Sequence, residues 1–263
     1  MGGLLEALSR GPLLGDGGIG TTLISRGFSV RRPLDLLNLT QPEAIRSLHR
    51  EFRAAGSRVL KTNTFLAGRL RIAAGKMRDV NLAGAAWARE AAGRDGFVLG
   101  VIGPPPRSSS PERIFDAMRE QARALADGGV DGILLEVGLD EVLLGLAVGA
   151  ARTTGLPCVG EGAIPPGLSA DGAASILAGR PEADLVGIHC TFPERIQGVL
   201  RRLPGRLRAA YPCSSVPGGR RLGPKAFARG AKRLAEAGVR LLGGCCGAGP
   251  DHIWAMAEEG IGT

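Results

Sequence analysis

Short runs of β-forming residues alternate with longer helical patterns along the whole 263-residue chain. The predicted strands cover residues 13–15, 58–62, 97–102, 132–136, 158–160, 185–189, 208–211 and 240–242. The predicted helices cover residues 42–55, 77–92, 112–126, 140–151, 172–177, 194–200 and 226–237. Alternation of this kind produces a parallel sheet, and about eight βα units of roughly 33 residues have the length of a typical barrel. The pattern therefore predicts an α/β fold, a single (β/α)8 TIM barrel over residues 1–263, with a doubly wound open sheet as the alternative.

The composition excludes several other classes of protein. The longest apolar runs fall far short of the roughly 18 residues that a membrane-spanning helix needs, so no membrane association is expected. The first residues, MGGLLEALSRG, are too short and too polar for a secretory signal, and we expect a cytoplasmic protein. The chain has five cysteines, an odd number, and two of them are adjacent, which favours metal or thiol chemistry over a disulfide framework.

The charge pattern argues against a nucleic-acid partner. The formal net charge of +8 comes from 29 Arg and 4 Lys against 25 acidic residues. The arginines are scattered in runs of at most two, and only 4% of the residues are aromatic. Because nucleic-acid binding uses clustered basic patches and stacking aromatic side chains, we predict a solvated arginine-rich surface instead.

Polar side chains collect at the carboxyl ends of the predicted strands. They are Asp16, Thr62, Asn63, Thr64, Glu136, His189, Cys190, Cys245 and Cys246. TIM-barrel enzymes carry their active sites at this end of the barrel. The sequence therefore predicts that these residues meet at the mouth of the barrel.

Two adjacent cysteines follow the last predicted strand within the segment GGCCG at 243–247. The small residues let the backbone bring both thiols toward one point, and Cys190 would lie nearby across the barrel mouth. Three thiolates with a free fourth position suit a catalytic Zn²⁺ site, whereas the alternative is a glycine-rich loop with buried thiols. Cys158 is expected in the core, and the relation of Cys213 to the site stays open.

The three histidines are predicted to have structural roles. Neighbouring strand residues point to opposite faces, so His189 is expected to pack beside the site rather than bind a metal together with Cys190. His49 falls within the predicted helix 42–55, and His252 lies in a further predicted helix after the eighth strand; both are expected at the surface or as capping residues.

Two carboxylates are candidates for substrate binding. The segment GDGGIG at 15–20 matches the G-x-G-x-x-G fingerprint, but Asp16 would place a negative charge beside a dinucleotide pyrophosphate. We interpret the segment as backbone that approaches a small ligand, with Asp16 accepting a hydrogen bond from an ammonium group. Glu136 ends an apolar strand, where a carboxylate is costly unless paired, so a ligand contact is favoured over a structural ion pair.

Taken together, these segments resemble the homocysteine S-methyltransferase family. The similar segments are DGGIGT at 16–21, TNTF at 62–65, GGVDGILLE at 128–136, GIHCT at 187–191, LGGCCG at 242–247 and PDHI at 250–253. The last two segments form a specific signature, and the resemblance covers most of the chain. It implies a (β/α)8 barrel with Zn²⁺ held by Cys190, Cys245 and Cys246, and with the homocysteine thiol as the fourth ligand.

The resemblance also implies how the substrates would bind. Asp16 and Glu136 would hold the amino group of homocysteine, helped by the backbone near Gly17 and by Thr62 and Asn63. The implied reaction is methyl transfer to the thiol of homocysteine or a related thiol, which forms methionine from homocysteine. The expected donor is a small molecule (S-methylmethionine, S-adenosylmethionine or a betaine-type onium compound), and a separate methyl-corrinoid protein is the second possibility.

Departures from the family pattern leave two other functions open. The asparagine of the family's GxNC segment is His189 here, and its YPN element ends in Cys213. One alternative is a non-catalytic relative that binds zinc or an amino acid. The other is a barrel enzyme that acts on a phosphorylated metabolite, with Gly243 and Gly244 in the phosphate loop and no metal.

Overall fold

The computed structural model describes residues 3–106, 108–203, 205, 207–216 and 218–262. Residues 1, 2, 107, 204, 206, 217 and 263 of the predicted domain 1–263 lie outside the described residues. The strands are β1 (Leu13–Leu14), β2 (Val59–Lys61), β3 (Phe97–Ile102), β4 (Gly132–Gly138), β5 (Cys158–Ala163), β6 (Leu185–His189), β7 (Arg208–Tyr211) and β8 (Leu241–Leu242). The helices are α1 (Leu4–Arg10), α2 (Ile19–Ser25), α3 (Leu37–Thr40), α4 (Pro42–Ala54), α5 (Ala74–Ala92), α6 (Pro111–Asp127), α7 (Glu141–Arg152), α8 (Ala170–Ala178), α9 (Pro193–Leu200), α10 (Pro224–Glu236) and α11 (Pro250–Glu258), and a 3₁₀ helix covers Leu34–Leu36.

The strands form one parallel sheet in the order β1-β8-β7-β6-β5-β4-β3-β2. Its two edge strands also meet, because Gly15 forms a parallel bridge with Val59 and the Asp16 amide donates to the Val59 carbonyl at 3.0 Å. The edges therefore close on each other, and helices lie between successive strands. This confirms the predicted (β/α)8 TIM barrel.

Two apolar layers stabilise the barrel. The larger layer packs between the sheet and the surrounding helices, and the smaller one fills the barrel interior with strand residues such as Leu99, Leu134 and Leu185. Helix α1 adds Leu4 and Leu8 to the interior layer. Because Leu4 approaches Gly132 at the start of β4, α1 covers the amino-terminal end of the barrel and leaves the carboxyl end open.

Several helices begin at residues that the sequence marks as starts. The side chains of Ser110, Asp140 and Ser169 cap α6, α7 and α8 by accepting hydrogen bonds from backbone amides of the first turn. Sequence analysis did not predict α1 or α2, which are only seven residues long each. Among the described residues, no helix has both the length and the apolar character needed to cross a membrane.

Two strands are longer than predicted. Strand β4 continues beyond Glu136 to Gly138, and β5 continues beyond Gly160 to Ala163. The two extensions pair with each other, since Glu136 lies opposite Glu161 and Gly138 opposite Ala163. Glu136 is therefore inside its strand rather than at the end, because pairing with β5 extends the strand through Val137 to Gly138.

The expectation that His49 lies at the surface or caps a helix is wrong. His49 lies in the middle of α4 and is completely buried. It shares the inward face of the helix with Ile45, Leu48 and Phe52, as its spacing along the helix requires.

Candidate active site

Three cysteine sulfur atoms converge at the open end of the barrel. Cys190 directly follows β6, and Cys245 and Cys246 lie in the loop after β8. All three Sγ atoms lie within 4.8 Å of one another, with 3.1 Å between Cys190 and Cys246 and 4.0 Å between Cys245 and Cys246. Tetrahedral Zn²⁺ with Zn–S distances of about 2.3 Å requires sulfur atoms about 3.8 Å apart. The donor set and its spacing therefore fit Zn²⁺.

Backbone geometry aims these thiols at one point. Cys190 has a φ of 51°, in the left-handed region that residues other than glycine rarely adopt, and its amide donates to the Tyr211 carbonyl at 3.0 Å. The Cys245 amide donates to the Pro212 carbonyl at 2.8 Å. Gly243 is needed before the two cysteines, because a Cβ there would lie 2.4 Å from the Tyr211 ring.

The three thiols share their protons unequally. The hydrogen bonds that Cys246 accepts from Cys190 and Cys245 lower the pKa of Cys246 to about 3. Hydrogen bonds with Cys245 and, to a smaller extent, with Cys246 raise the pKa of Cys190 above its usual value. A thiolate is thus already favoured at one position of the cluster, and thiolate is the form that binds a metal.

A cavity of about 460 Å³ leads from the surface to the cysteines. Its floor includes the three cysteines together with Lys61 and Glu136. Its outer wall includes the partly exposed apolar side chains Ile24, Val30 and Phe65 as well as Arg31 and Arg32. The cavity can therefore admit a small molecule with an apolar portion and bring it against the sulfur atoms.

A buried ion-pair cluster lies beside the cysteines. The Lys61 ammonium is 3.3 Å from Glu136 Oε1 and 3.9 Å from Asp16 Oδ1, and it donates to the Gly244 carbonyl at 3.2 Å. Although burial opposes the charged form, Glu136 and Asp16 raise the pKa of Lys61. Burial raises the pKa of Asp16 to about 7, against the opposing effect of Lys61.

A second buried acid lies next to this cluster. Glu161 is fully buried opposite Glu136, and neither of its carboxylate oxygens has a hydrogen-bond partner among the described residues. Burial, followed by the charge of Glu136, raises its pKa well above the usual value. Burial and the charge of Glu136 thus both favour the protonated, uncharged form of Glu161.

The predicted substrate-binding residues separate into two groups. Thr62, Asn63 and Glu136 line the cavity, whereas Asp16 and Gly17 lie outside its lining. Asp16 is fully buried, and its Oδ2 accepts a hydrogen bond from the Lys61 amide at 2.8 Å. The substrate contacts themselves stay predictions for all five residues.

Thr62 and Asn63 also form structural hydrogen bonds with neighbouring segments. The Thr62 hydroxyl accepts from the Val101 amide at 2.9 Å. Asn63 Nδ2 donates to the Leu34 carbonyl and to Asn38 Oδ1, both at 3.0 Å. These bonds fix the loop after β2 against its neighbours and hold the cavity wall in place.

The remaining cysteines and histidines lie outside the three-sulfur cluster. His189 lines the cavity and is nearly buried, as expected for a residue that packs beside the site. Cys158 is buried in the core, as predicted. Cys213 is buried, and its amide donates to the Thr191 carbonyl at 3.1 Å. His252 Nε2 lies 3.0 Å from the Leu222 carbonyl, so it has a structural contact.

Lys61, Glu161 and Tyr211 were missed by sequence analysis. Lys61 is the last residue of β2, and the rule that polar strand ends line a barrel mouth would have identified it. Glu161 was assigned to a loop because β5 was predicted too short. Tyr211 packs against one side of the ion-pair cluster, with its ring centroid 4.2 Å from the Lys61 ammonium.

The glycines of the β8 loop do not form a phosphate cradle. The Gly243 amide donates to the Ala210 carbonyl at 3.1 Å, and the Gly244 amide donates to the Asp16 carbonyl at 2.8 Å. Both donors that a phosphate would need are used inside the barrel. The structure thus argues against the alternative of a phosphorylated metabolite.

The fold and the site define a TIM barrel with three cysteine thiols at its open end whose spacing could hold a metal ion. The profile of the homocysteine S-methyltransferase family matches residues 13–259, and the chain belongs to this family. The resemblance seen in the sequence is thereby confirmed.

The chain is also similar to individual members of this family. It is 30% identical to methionine synthase of Mycobacterium leprae (strain TN) over 97% of this chain and 25% of that protein. It is 29% identical to betaine–homocysteine S-methyltransferase 1 of Danio rerio over 98% of this chain and 75% of that protein. The chain thus spans about a quarter of the methionine synthase it matches.

A solved structure has the same fold. The metallated form of the homocysteine methyltransferase MmuM from Escherichia coli superposes with a TM-score of 0.81. The alignment covers 97% of this chain and 99% of that one, at 23% sequence identity.

Proposed function

We propose that the protein is a zinc-dependent methyltransferase that moves a methyl group from a small donor to the thiol of homocysteine, forming methionine. The observation that carries this proposal is the convergence of three cysteine sulfur atoms on the floor of an open cavity. Membership of the homocysteine S-methyltransferase family supports the choice of acceptor.

Cys190, Cys245 and Cys246, which line the cavity, would hold the zinc ion. Zinc bound there would lower the pKa of the acceptor thiol, so that the nucleophilic thiolate is present at neutral pH. The cavity wall orients the acceptor and the donor so that sulfur and the methyl carbon meet in line. The new S–CH₃ bond forms as the bond between the methyl group and the donor breaks, and its electron pair stays on the donor.

Charged residues of the floor would position the acceptor. Glu136 lines the cavity and is proposed to contact the amino group of homocysteine. Asp16 is fully buried outside the cavity lining and is proposed to support that contact. Gly17, Thr62 and Asn63 are proposed to shape the same subsite.

The donor is proposed to be a small onium compound: S-methylmethionine, S-adenosylmethionine or a betaine-type molecule. The cavity volume of about 460 Å³ supports a small-molecule donor. A separate methyl-corrinoid protein remains the second candidate. The free thiols that the site requires fit a reducing compartment, and the cytoplasm is the proposed location.

The test is methyl transfer by zinc-loaded protein to homocysteine with each small donor in turn. We expect methionine from one donor, and a loss of at least about 100-fold in Cys246→Ser, because the acceptor thiol is no longer activated. The matched control is Cys213→Ser, which removes a buried thiol outside the cluster and should retain activity. Bound zinc without transfer from any small donor or from a methyl-corrinoid protein would contradict the proposal and favour a non-catalytic zinc-binding protein.

A further inference from the structure

Lys61 places a positive charge between the two carboxylates that face each other in the barrel interior. Its ammonium lies 3.3 Å from Glu136 Oε1 and 3.9 Å from Asp16 Oδ1. The Lys61 side chain is 5% exposed, and the Asp16 side chain is not exposed at all. These two carboxylates are the ones predicted to receive the amino group of an amino-acid substrate.

Two of the three hydrogens of this ammonium have hydrogen-bond acceptors in the protein. One is donated to Glu136 and one to the Gly244 carbonyl at 3.2 Å. Asp16 Oδ1 lies 3.9 Å away, at ion-pair distance but without a hydrogen bond. The Tyr211 ring lies 4.2 Å away on another side and adds a cation–π contact. The position of the Lys61 ammonium is thus fixed by residues that lie within or next to five strands: β1, β2, β4, β7 and β8.

A substrate ammonium would compete with Lys61 for the same acceptors. It could reach Glu136, which lines the cavity, but Asp16 is enclosed and does not line it. It would also lie a few ångströms from a second positive charge in a region with little water, where like charges repel strongly. The proposed contact between Glu136 and the amino group of homocysteine therefore adds little to the binding free energy, because Lys61 already neutralises that carboxylate.

We propose that Lys61 takes the place of a substrate ammonium, so that this site accepts thiols that lack an α-amino group, such as mercapto-carboxylic acids, as readily as homocysteine. This inference rests on the proposed function, because it concerns the acceptor of the same site. The step is unchanged: the thiol loses its proton to solvent, its sulfur forms the bond to the methyl carbon, and the donor keeps the electron pair of the bond that breaks. Lys61 is thus a specificity-determining residue.

The experiment measures binding of two thiols that differ only in the amino group. Homocysteine and 4-mercaptobutyrate are titrated by calorimetry into zinc-loaded protein without donor. For the wild type we expect dissociation constants within about threefold of each other, because the carboxylates are already neutralised. Lys61→Met removes the charge at similar length, and it should favour homocysteine by at least about tenfold, because the carboxylates then attract the substrate ammonium.

Lys232→Met is the matched control, since Lys232 lies on the exposed face of α10 and forms an ion pair with Glu259. It should keep the wild-type ratio. If the wild type prefers homocysteine by more than about tenfold, the inference is overturned whether or not Lys61→Met folds. A folded Lys61→Met with the same ratio of dissociation constants as the wild type also overturns it. Failure of the proposed function has a different signature: both thiols bind with the expected ratio, but no donor yields a methylated product.

Discussion

His49 is buried in helix α4 without a partner for its charge. None of its surface is exposed, and neither ring nitrogen has a hydrogen-bond partner within the described part of the chain. Burial lowers its pKa from 6.5 to about 4, since an imidazolium at this place would lose its hydration. The residue is therefore neutral in the folded protein at neutral pH.

This burial predicts that the free energy of unfolding decreases in acid. The folded-state pKa of about 4 lies below the reference value of 6.5, so the unfolded chain takes up the proton first. The contribution of neutral His49 is complete above pH 6.5 and is lost as the pH falls toward 4. Between pH 7 and pH 5 we expect the wild type to lose about 2 kcal/mol more than His49→Leu, measured by urea denaturation.

The comparison with His49→Leu isolates this one group. Asp16 and Asp35 have pKa values raised to about 7 and about 6, and they act in the opposite direction in both proteins. Their effects cancel when the pH dependence of the variant is subtracted. Identical pH dependence in the wild type and the variant would show that His49 is not buried as described.

At the scale of single residues, the spacing of residues along helix α4 predicts the burial of His49 better than its residue type does. Ile45, Leu48, His49 and Phe52 have the i, i+3, i+4, i+7 spacing of one helix face, which predicts burial of His49. The polarity of histidine led to the opposite expectation. The three metal-ligand candidates were predictable because two are adjacent in sequence and the third ends a strand.

At the scale of elements, the loops after β1 and β8 are packed backbone against backbone. The Gly18 amide donates to the Ala248 carbonyl at 2.8 Å, and the Gly244 amide donates to the Asp16 carbonyl. A Cβ on Gly17 would lie 2.1 Å from the Ala248 carbonyl oxygen and 2.7 Å from the Phe52 ring. Glycine is thus required at position 17 for the cysteine-bearing loop to reach its place.

Gly17→Ala is therefore expected to destabilise the protein. The two loops would have to separate, at a cost of about 1–3 kcal/mol, and the melting temperature should fall by several degrees. The matched control is Gly20→Ala in α2, where the nearest atom to the new Cβ, on Leu34, is 3.8 Å away. That variant should be neutral or more stable by up to about 1 kcal/mol, because alanine favours a helix. Equal melting temperatures for the two variants in calorimetry would refute the described loop contact.

The limits of strands were harder to predict than their existence. Strands β4 and β5 extend each other by pairing Glu136 with Glu161 and Gly138 with Ala163. Glutamate and glycine are unfavourable in isolated strands, so the sequence pattern ends before the pairing does. Tertiary pairing thus decided the position of Glu161, which the sequence alone placed in a loop.

At the scale of the whole molecule, the eightfold alternation of strands and helices predicted the barrel with an open sheet as the alternative, and the contact between the two edge strands decides for the barrel. The ion-pair cluster was not predictable in the same way, because Asp16, Lys61, Glu136 and Gly244 are far apart in sequence. They meet only when the barrel closes and brings β1, β2, β4 and β8 around one interior. Closure also places Cys190 beside the β8 loop, which creates the candidate metal site.

The central claim is that Cys190, Cys245 and Cys246 hold one zinc ion, and metal analysis after purification under reducing conditions tests it most directly. We expect about one zinc per chain in the wild type and in Cys213→Ser, and less than about a tenth of that in Cys246→Ser, because two thiolates bind zinc far more weakly than three. Wild-type protein that neither contains zinc nor takes it up, or Cys246→Ser that retains wild-type zinc, would contradict the claim.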